Sequence, residues 1–245
     1  MAKDRSSLRL LLMQIRDGAQ VRREELESFT RYCRLEPDQI DVLNLFDTPD
    51  FSIDAADGYD ALLVGGASEA NVLEPEKYPF VERAQQLLLN SLERDQPVFA
   101  SCFGFQLAVL ALGGRIRHKD KDFEMGCLPI SLTLAAGKDP LFWDMPDPFM
   151  AVSVHRQYAT ELPRRCQVLA LTDACIHAFK VKDHRFWAFQ FHPEVDKRIL
   201  VERLTYYKAH YTDGDDHLDQ VLANAVETPE SNALMGAFVD RVLLE

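Results

Sequence analysis

Alternation constrains what this chain can fold into more than any other feature it has. Through the first half, short runs of apolar residues at 8–15, 40–45, 61–64 and 98–101 alternate with segments of helical apolar spacing at 23–33, 80–92 and 104–112. A strand buried on both faces has no polar side to show, so it reads as an unbroken apolar run. Helices between such runs carry the chain back for parallel pairing. The pattern predicts a parallel sheet with covering helices, and ligands of such sheets bind outside the carboxyl ends of the strands.

From Arg115 the pattern changes to shorter runs at 128–134, 149–154, 168–171, 176–180 and 186–191, with turn residues at Gly137, Pro146 and Pro163. These predict an antiparallel extension of the same domain. After Pro193 a helix is expected over about 196–211, then an acidic segment at 213–216, then an apolar-periodic ending at 232–243. Pro229 and Glu230 suit the first turn of that last helix, proline for its fixed φ and glutamate for the dipole. The expected organisation is a single domain over 1–245, with a core at about 8–204 and a C-terminal helical extension at about 205–245.

Composition narrows the function classes. A chain of 245 residues that is 47% hydrophobic can bury a full core, and a net charge of −12 disfavours nucleic acid and anionic membrane surfaces. The apolar run at 8–13 is too short to span a bilayer and has no leader pattern around it, so a cytoplasmic protein is expected. Five cysteines without CxxC spacing argue against a disulfide framework and a zinc ribbon. Reduced thiols follow, and one is free to be catalytic.

Cys102 is the candidate. In Val98-Phe99-Ala100-Ser101-Cys102-Phe103-Gly104-Phe105-Gln106 an apolar strand meets a helical pattern through small residues. A sharp strand-to-helix elbow crowds the positions two residues either side of its centre, and Ala100 and Gly104 relieve that crowding. A thiol needs a neighbouring base, and that base needs an acceptor to hold its ring. His192 and Glu194, in Gln190-Phe191-His192-Pro193-Glu194, can supply both, with Pro193 stiffening the turn. Gly65 and Gly66 follow the run at 61–64, where glycine lets backbone approach a substrate and aim an N–H at a developing oxyanion. The GxxxxGK[ST] phosphate loop is absent from the sequence.

Taken in this order and spacing, the three segments resemble the class I (triad) glutamine amidotransferase family, including the glutaminase domain of GMP synthase and related stand-alone proteins. The family elbow G-x-C-x-G-x-Q is matched from Ala100 to Gln106, with alanine at the first glycine. The family base segment Q-F-H-P-E stands complete, and Gly113-Gly114 with Glu124-Met125-Gly126 fits the stretch after the elbow helix. The resemblance covers about 8–204. It implies a three-layer, flavodoxin-like α/β fold, a mostly parallel sheet with helices on both faces and a small antiparallel extension.

The resemblance also assigns roles. Cys102 would attack the side-chain amide of glutamine, His192 would move the proton, and Glu194 would orient the imidazole. The N–H groups of Gly66 and Phe103 would hold the oxyanion, with Gly65, Gln106, His155 and Gln157 binding substrate. No metal and no cofactor are implied. Ammonia would pass to an acceptor on a synthetase domain or subunit, which points to a separate partner for this chain. Where relatives frequently carry an aspartate two residues after the histidine of the His155 loop, this chain has Gln157, and a neutral amide binds an amino group less strongly. The donor is therefore glutamine or another γ-glutamyl compound, and the alternatives are a stand-alone γ-glutamyl hydrolase or transferase and a non-catalytic binding module.

Other polar and aromatic residues are expected to be structural. His210, Asp215, Asp216 and His217 read as a solvated acidic turn, Cys33, Cys127, Cys166 and Cys175 as packing, and Trp143 and Trp187 as core or rim aromatics.

Overall fold

The computed structural model describes residues 3–206 and 215–245. Its centre is a nine-stranded sheet in the order β2-β1-β3-β4-β11-β10-β9-β6-β7. The parallel half consists of β1 (Leu10–Gln14), β2 (Ile40–Asn44), β3 (Ala61–Val64), β4 (Val98–Ser101) and β11 (Phe186–Phe189). The antiparallel extension adds β6 (Glu124–Leu132), β7 (Phe149–His155), β9 (Cys166–Leu171) and β10 (Ile176–Val181). The run at 186–191 was expected in the antiparallel extension, but β11 pairs parallel with β4 on one side and antiparallel with β10 on the other, because it is the strand that joins the two halves of the sheet. A two-stranded ribbon of β5 (Arg117–His118) and β8 (Gln157–Tyr158) stands apart, and neither strand is long enough to leave a pattern in the sequence.

The unbroken apolar runs have the reason expected of them, because alternate residues of one strand enter different cores. Leu11 and Met13 of β1 pack with Leu62, Val64 and the helices α2 (Phe80–Glu93) and α3 (Phe103–Ala111). Leu10 and Leu12 pack on the other face with Phe99, Phe29 and Cys33 of α1 (Ala19–Cys33), and Leu234 and Phe238 of the C-terminal helix Pro229–Phe238. Trp187 is buried in this second core, and its indole N–H reaches Asp139 at 3.0 Å. Trp143 instead lies on the surface beneath Arg241.

The chain after the sheet begins with α4 (Lys197–Tyr206). The acidic segment differs from expectation: Asp215, Asp216 and His217 open α5 (Asp215–Ala223) instead of forming a turn, and His210 lies outside the described residues. The physical reason is apolar spacing, since Leu218 and Val221 bury against Met125, Val152 and Leu200 in a third core. The last helix, α6 (Pro229–Phe238), starts at proline as expected and runs on into a π-helical turn, Val239–Leu243. No helix among the described residues is long and apolar enough to cross a membrane.

Candidate active site

Strand register brings the three sequence motifs together. β3, β4 and β11 are adjacent and parallel, with Val64 opposite Ala100 and Ser101 opposite Phe189. Each strand therefore ends at the same edge, and Gly65-Gly66, Cys102 and the segment from Gln190 to Glu194 leave it side by side. This is the carboxyl edge, where α/β sheets bind ligands.

Cys102 has φ 49° and ψ −96°, a conformation that L residues rarely adopt. Its N–H is held by the Phe189 carbonyl at 2.7 Å, and its own carbonyl accepts the first helical bond, from Gln106 N–H. The strain is supported by small neighbours. A Cβ on Gly104 would stand 2.8 Å from Val64 Cγ1 and 3.1 Å from the Ala100 methyl, so glycine is needed there while alanine fits at 100. Cys102 stands at the N-cap of α3, and Phe103 is the first residue of the helix, where backbone N–H groups have no intrahelical acceptor. Among the other thiols, burial pushes Cys33 up to about 12 and Cys166 to about 11.

His192 stands beside this thiol, with Nδ1 2.7 Å from Glu194 Oε1. Its backbone N–H is fixed to the Val152 carbonyl at 2.8 Å. Burial favours the neutral ring, but the Cys102 sulfur and the Glu194 carboxylate outweigh it and carry His192 to about 9. Burial likewise favours neutral Glu194, and the His192 charge and hydrogen bond, joined by Arg203, bring it down to about 2. Gly66 presses on the ring: a Cβ there would lie 2.8 Å from His192 Cε1 and 3.1 Å from Arg16 Nη2. Gly65 has a separate reason to be glycine, because a Cβ would meet the Glu25 carboxylate at 2.8 Å.

A cleft of about 310 Å³ opens over Cys102, with Gln106, Tyr78, His155 and Gln157 in its walls. Gln106 Nε2 donates to the Gln157 carbonyl at 3.2 Å, so the two residues are tied through backbone. The Gln157 side chain turns to the ring of His118 at 3.0 Å. His155 is buried, which holds its ring below the usual histidine range, and its Nε2 lies 3.1 Å from Glu124 Oε2. Glu124 is held well below the usual carboxylate range, its burial outweighed by the adjacent rings of His155 and His177.

Sequence reasoning missed the charged layer behind His192 and Glu194. Arg203 of α4 grips Glu24 of α1 with Nε at 2.7 Å and Nη2 at 3.1 Å, while its Nη1 stands 3.9 Å from Glu194 Oε1. Arg16 pairs with Glu25 at 2.9 Å, both side chains 1% exposed or less. The available signal was Glu25 itself, which sits on the buried face of α1 between Val21 and Phe29. Two amides were missed as well. Gln190 Nε2 is 3.9 Å from Cys102 Sγ, and Asn232 of α6 donates to the carbonyls of Pro193 at 2.8 Å and Val195 at 3.0 Å. The C-terminal helix thereby clamps the turn that carries Glu194.

The model of the family "Glutamine amidotransferase class-I" matches residues 30–205, most of the chain. The chain belongs to the class-I glutamine amidotransferase family. Among curated relatives it is 30% identical over 118 residues to a glutamine-hydrolyzing GMP synthase subunit from Methanococcus vannielii, a match covering 48% of this chain and 60% of that one. It is 29% identical over 106 residues to gamma-glutamyl peptidase 2 of Arabidopsis thaliana, covering 43% of this chain and 42% of that one. The first GMP synthases matched are longer, and the matched stretch is 20% of their length. A crystal structure of a Thermotoga maritima glutamine amidotransferase superposes over 97% of this chain and 99% of that one, with a TM-score of 0.77 at 20% identity. The likeness shows a shared fold, a large mostly parallel sheet with covering helices. The Arg203–Glu24 and Asn232 contacts tie that fold to the His192 turn.

Proposed function

We propose that this protein is a cysteine amidohydrolase of the glutamine amidotransferase type, taking ammonia from glutamine for transfer to an acceptor. The observation that supports this reading is the convergence of three strand ends at one sheet edge, where Gly66 and Cys102 lie beside His192, whose Nδ1 is 2.7 Å from Glu194 Oε1. Cys102 Sγ passes its proton to His192 and attacks the side-chain carbonyl carbon of glutamine. The N–H groups of Gly66 and Phe103 receive the oxyanion, where loss of one donor typically costs about a hundredfold or more in turnover. His192 returns the proton to the nitrogen, the C–N bond breaks, and ammonia leaves a γ-glutamyl thioester on Cys102. Water, deprotonated by His192, cleaves the thioester to glutamate and restores the thiol.

The test is stoichiometric labelling of Cys102 by a glutamine-mimicking diazo-ketone, lost in Cys102→Ala, together with ammonia release from glutamine. Absence of labelling and of ammonia release from every γ-glutamyl donor overturns the reading.

One feature of the cleft favours a second donor class. Gln157 supplies no carboxylate for the amino group of free glutamine, and its side chain is already engaged by His118. A γ-glutamyl peptide hydrolase is the corresponding reading, supported by the similarity to a plant gamma-glutamyl peptidase. Turnover of γ-glutamyl dipeptides exceeding that of glutamine supports it, and the reverse order returns the assignment to glutamine. The similarity to one component of a GMP synthase supports an acceptor partner, to be sought by co-purification from native extract. A solitary protein with full glutaminase activity counts against that partner.

A further inference from the structure

Beside the cleft, outside the triad, four side chains with metal-ligating atoms converge. Glu124 and His155 are directly paired across β6 and β7, His177 projects from β10, and Cys175 sits in the turn before it. Their ligand atoms all lie within 4.8 Å of one another. Glu124 Oε2 is central, 2.9 Å from His177 Nε2, 3.1 Å from His155 Nε2 and 3.3 Å from Cys175 Sγ.

Hydrogen bonding accounts for part of this convergence: His177 Nε2 and Cys175 Sγ both bond to Glu124 Oε2, which leaves His155 Nε2 as a third polar atom on the same oxygen. One carboxylate oxygen has two lone pairs to offer, and three polar atoms crowd around it. His155 Nε2 is buried, aimed into the group, and makes no hydrogen bond of acceptable geometry. A cation at the centre would turn the same crowding into coordination. Tetrahedral zinc, with bonds of about 2.0–2.3 Å, sets its ligand atoms about 3.3–3.6 Å apart. The three separations at Glu124 Oε2 fall a few tenths of an ångström short of that, while the group as a whole spans up to 4.8 Å, so a bound ion would move the carboxylate outward and draw the farther ligands in. The other carboxylate oxygen is already oriented by the Thr172 hydroxyl at 2.7 Å, the kind of outer contact that fixes a metal ligand.

We propose that Glu124, His155, Cys175 and His177 form a binding site for a divalent ion of the zinc class. Two imidazoles, one thiolate and one carboxylate suit Zn²⁺ or Co²⁺ and not Mg²⁺ or Ca²⁺, which take oxygen ligands. Cys175, expected from the sequence to be packing, then becomes a ligand whose thiol proton leaves to solvent on binding. A cavity of about 90 Å³ lined by Glu124, His155 and Cys175 provides room for the ion and its approach. His155 also lines the Cys102 cleft, so loading this site fixes one wall of the substrate pocket.

The experiment is titration of the full chain with Co²⁺ alone, after chelator treatment, in a Cys102→Ala background that removes the triad thiol. One equivalent should bind, producing the visible bands of tetrahedral cobalt and a near-ultraviolet thiolate-to-cobalt band, both bleached by Zn²⁺. Cys175→Ser should abolish the near-ultraviolet band. His177→Gln should weaken affinity by more than the roughly 10–100-fold lost with an outer contact. No stoichiometric binding, no thiolate band in the Cys102→Ala protein, or a thiolate band that survives Cys175→Ser would each overturn the proposal. The Cys102→Ala spectrum decides the matter even where a second substitution unfolds the chain.

Discussion

Replacing Glu194 with glutamine removes the carboxylate 2.7 Å from His192 Nδ1 while keeping the shape of the turn. His192 stands at about 9 against an ordinary 6.5, which at about 1.4 kcal/mol per tenfold is about 3 kcal/mol of preference for imidazolium. Burial lowers the ring, and the Cys102 sulfur followed by the Glu194 carboxylate overcome it, so losing the carboxylate leaves burial opposed by the sulfur alone. The substitution should therefore move the alkaline limit of the His192 imidazolium form down, by about one pH unit or more. An amide that donates to Nδ1 also leaves the ring proton on Nε2, where it cannot accept from the thiol, so turnover should fall by more than tenfold. The direct assay is the rate of Cys102 alkylation by iodoacetamide against pH, read by mass spectrometry. Stability carries its own sign. The raised His192 contributes below about 6.5 and loses its contribution as pH rises through about 9, while the lowered Glu194 contributes above about 4.5 and loses it as pH falls through about 2. Wild type should therefore exceed Glu194→Gln most between these limits, near pH 5 to 6. Superposed alkylation profiles for the two proteins would refute the reasoning, because they would mean the carboxylate does not set the charge on His192.

Gly66→Ala should place a methyl 2.8 Å from His192 Cε1 and displace the ring, reducing ammonia release by about a hundredfold while diazo-ketone binding, read as protection against iodoacetamide, is weakened less. Equal turnover would remove the close approach of Gly66 as a constraint. Arg203→Met should break a part-buried ion pair with Glu24 and destabilise the fold by about 1–3 kcal/mol in urea unfolding, with double replacement by Arg203→Met and Glu24→Leu recovering much of it. Failure of the double variant to recover would show that the pair is not coupled. Asn232→Leu leaves the Pro193 and Val195 carbonyls without their amide donor, so it should cost about 1–3 kcal/mol and lower kcat more than it raises KM. An unchanged kcat would separate α6 from the His192 turn.

The legible parts of the site share one property: each is local in sequence. The elbow around Cys102, the Gln190 to Glu194 segment and the Gly65-Gly66 pair carry their backbone demands in adjacent residues, since crowding at an elbow and the stop at Pro193 act over two or three positions. The charged layer was not legible, because Glu24 and Arg203 are 179 positions apart and an arginine on a helix reads as a solvated face until its partner is known. Gln157 was read as a substrate ligand by its position, and the side chain's engagement with His118 depends on the short ribbon of β5 and β8. The acidic stretch at 215–217 was misread because its charges hid the apolar spacing of Leu218 and Val221 that follows.

By itself the sequence determined the alternating strands and helices, the burial of β1, β3 and β4 on both faces and the residues of the three motifs, all of which rest on periodicity or on contacts between near neighbours. Tertiary structure alone decided the rest. Parallel register between β3, β4 and β11 set Gly66, Cys102 and His192 at one edge, and a C-terminal helix clamped the turn beneath Glu194. Antiparallel pairing of β6 with β7, next to β9 and β10, gathered Glu124, His155, Cys175 and His177 into one group. Those placements depend on which strands become neighbours, and that choice is made by the packing of the whole core against the cost of ordering the chain, a quantity no single segment contains.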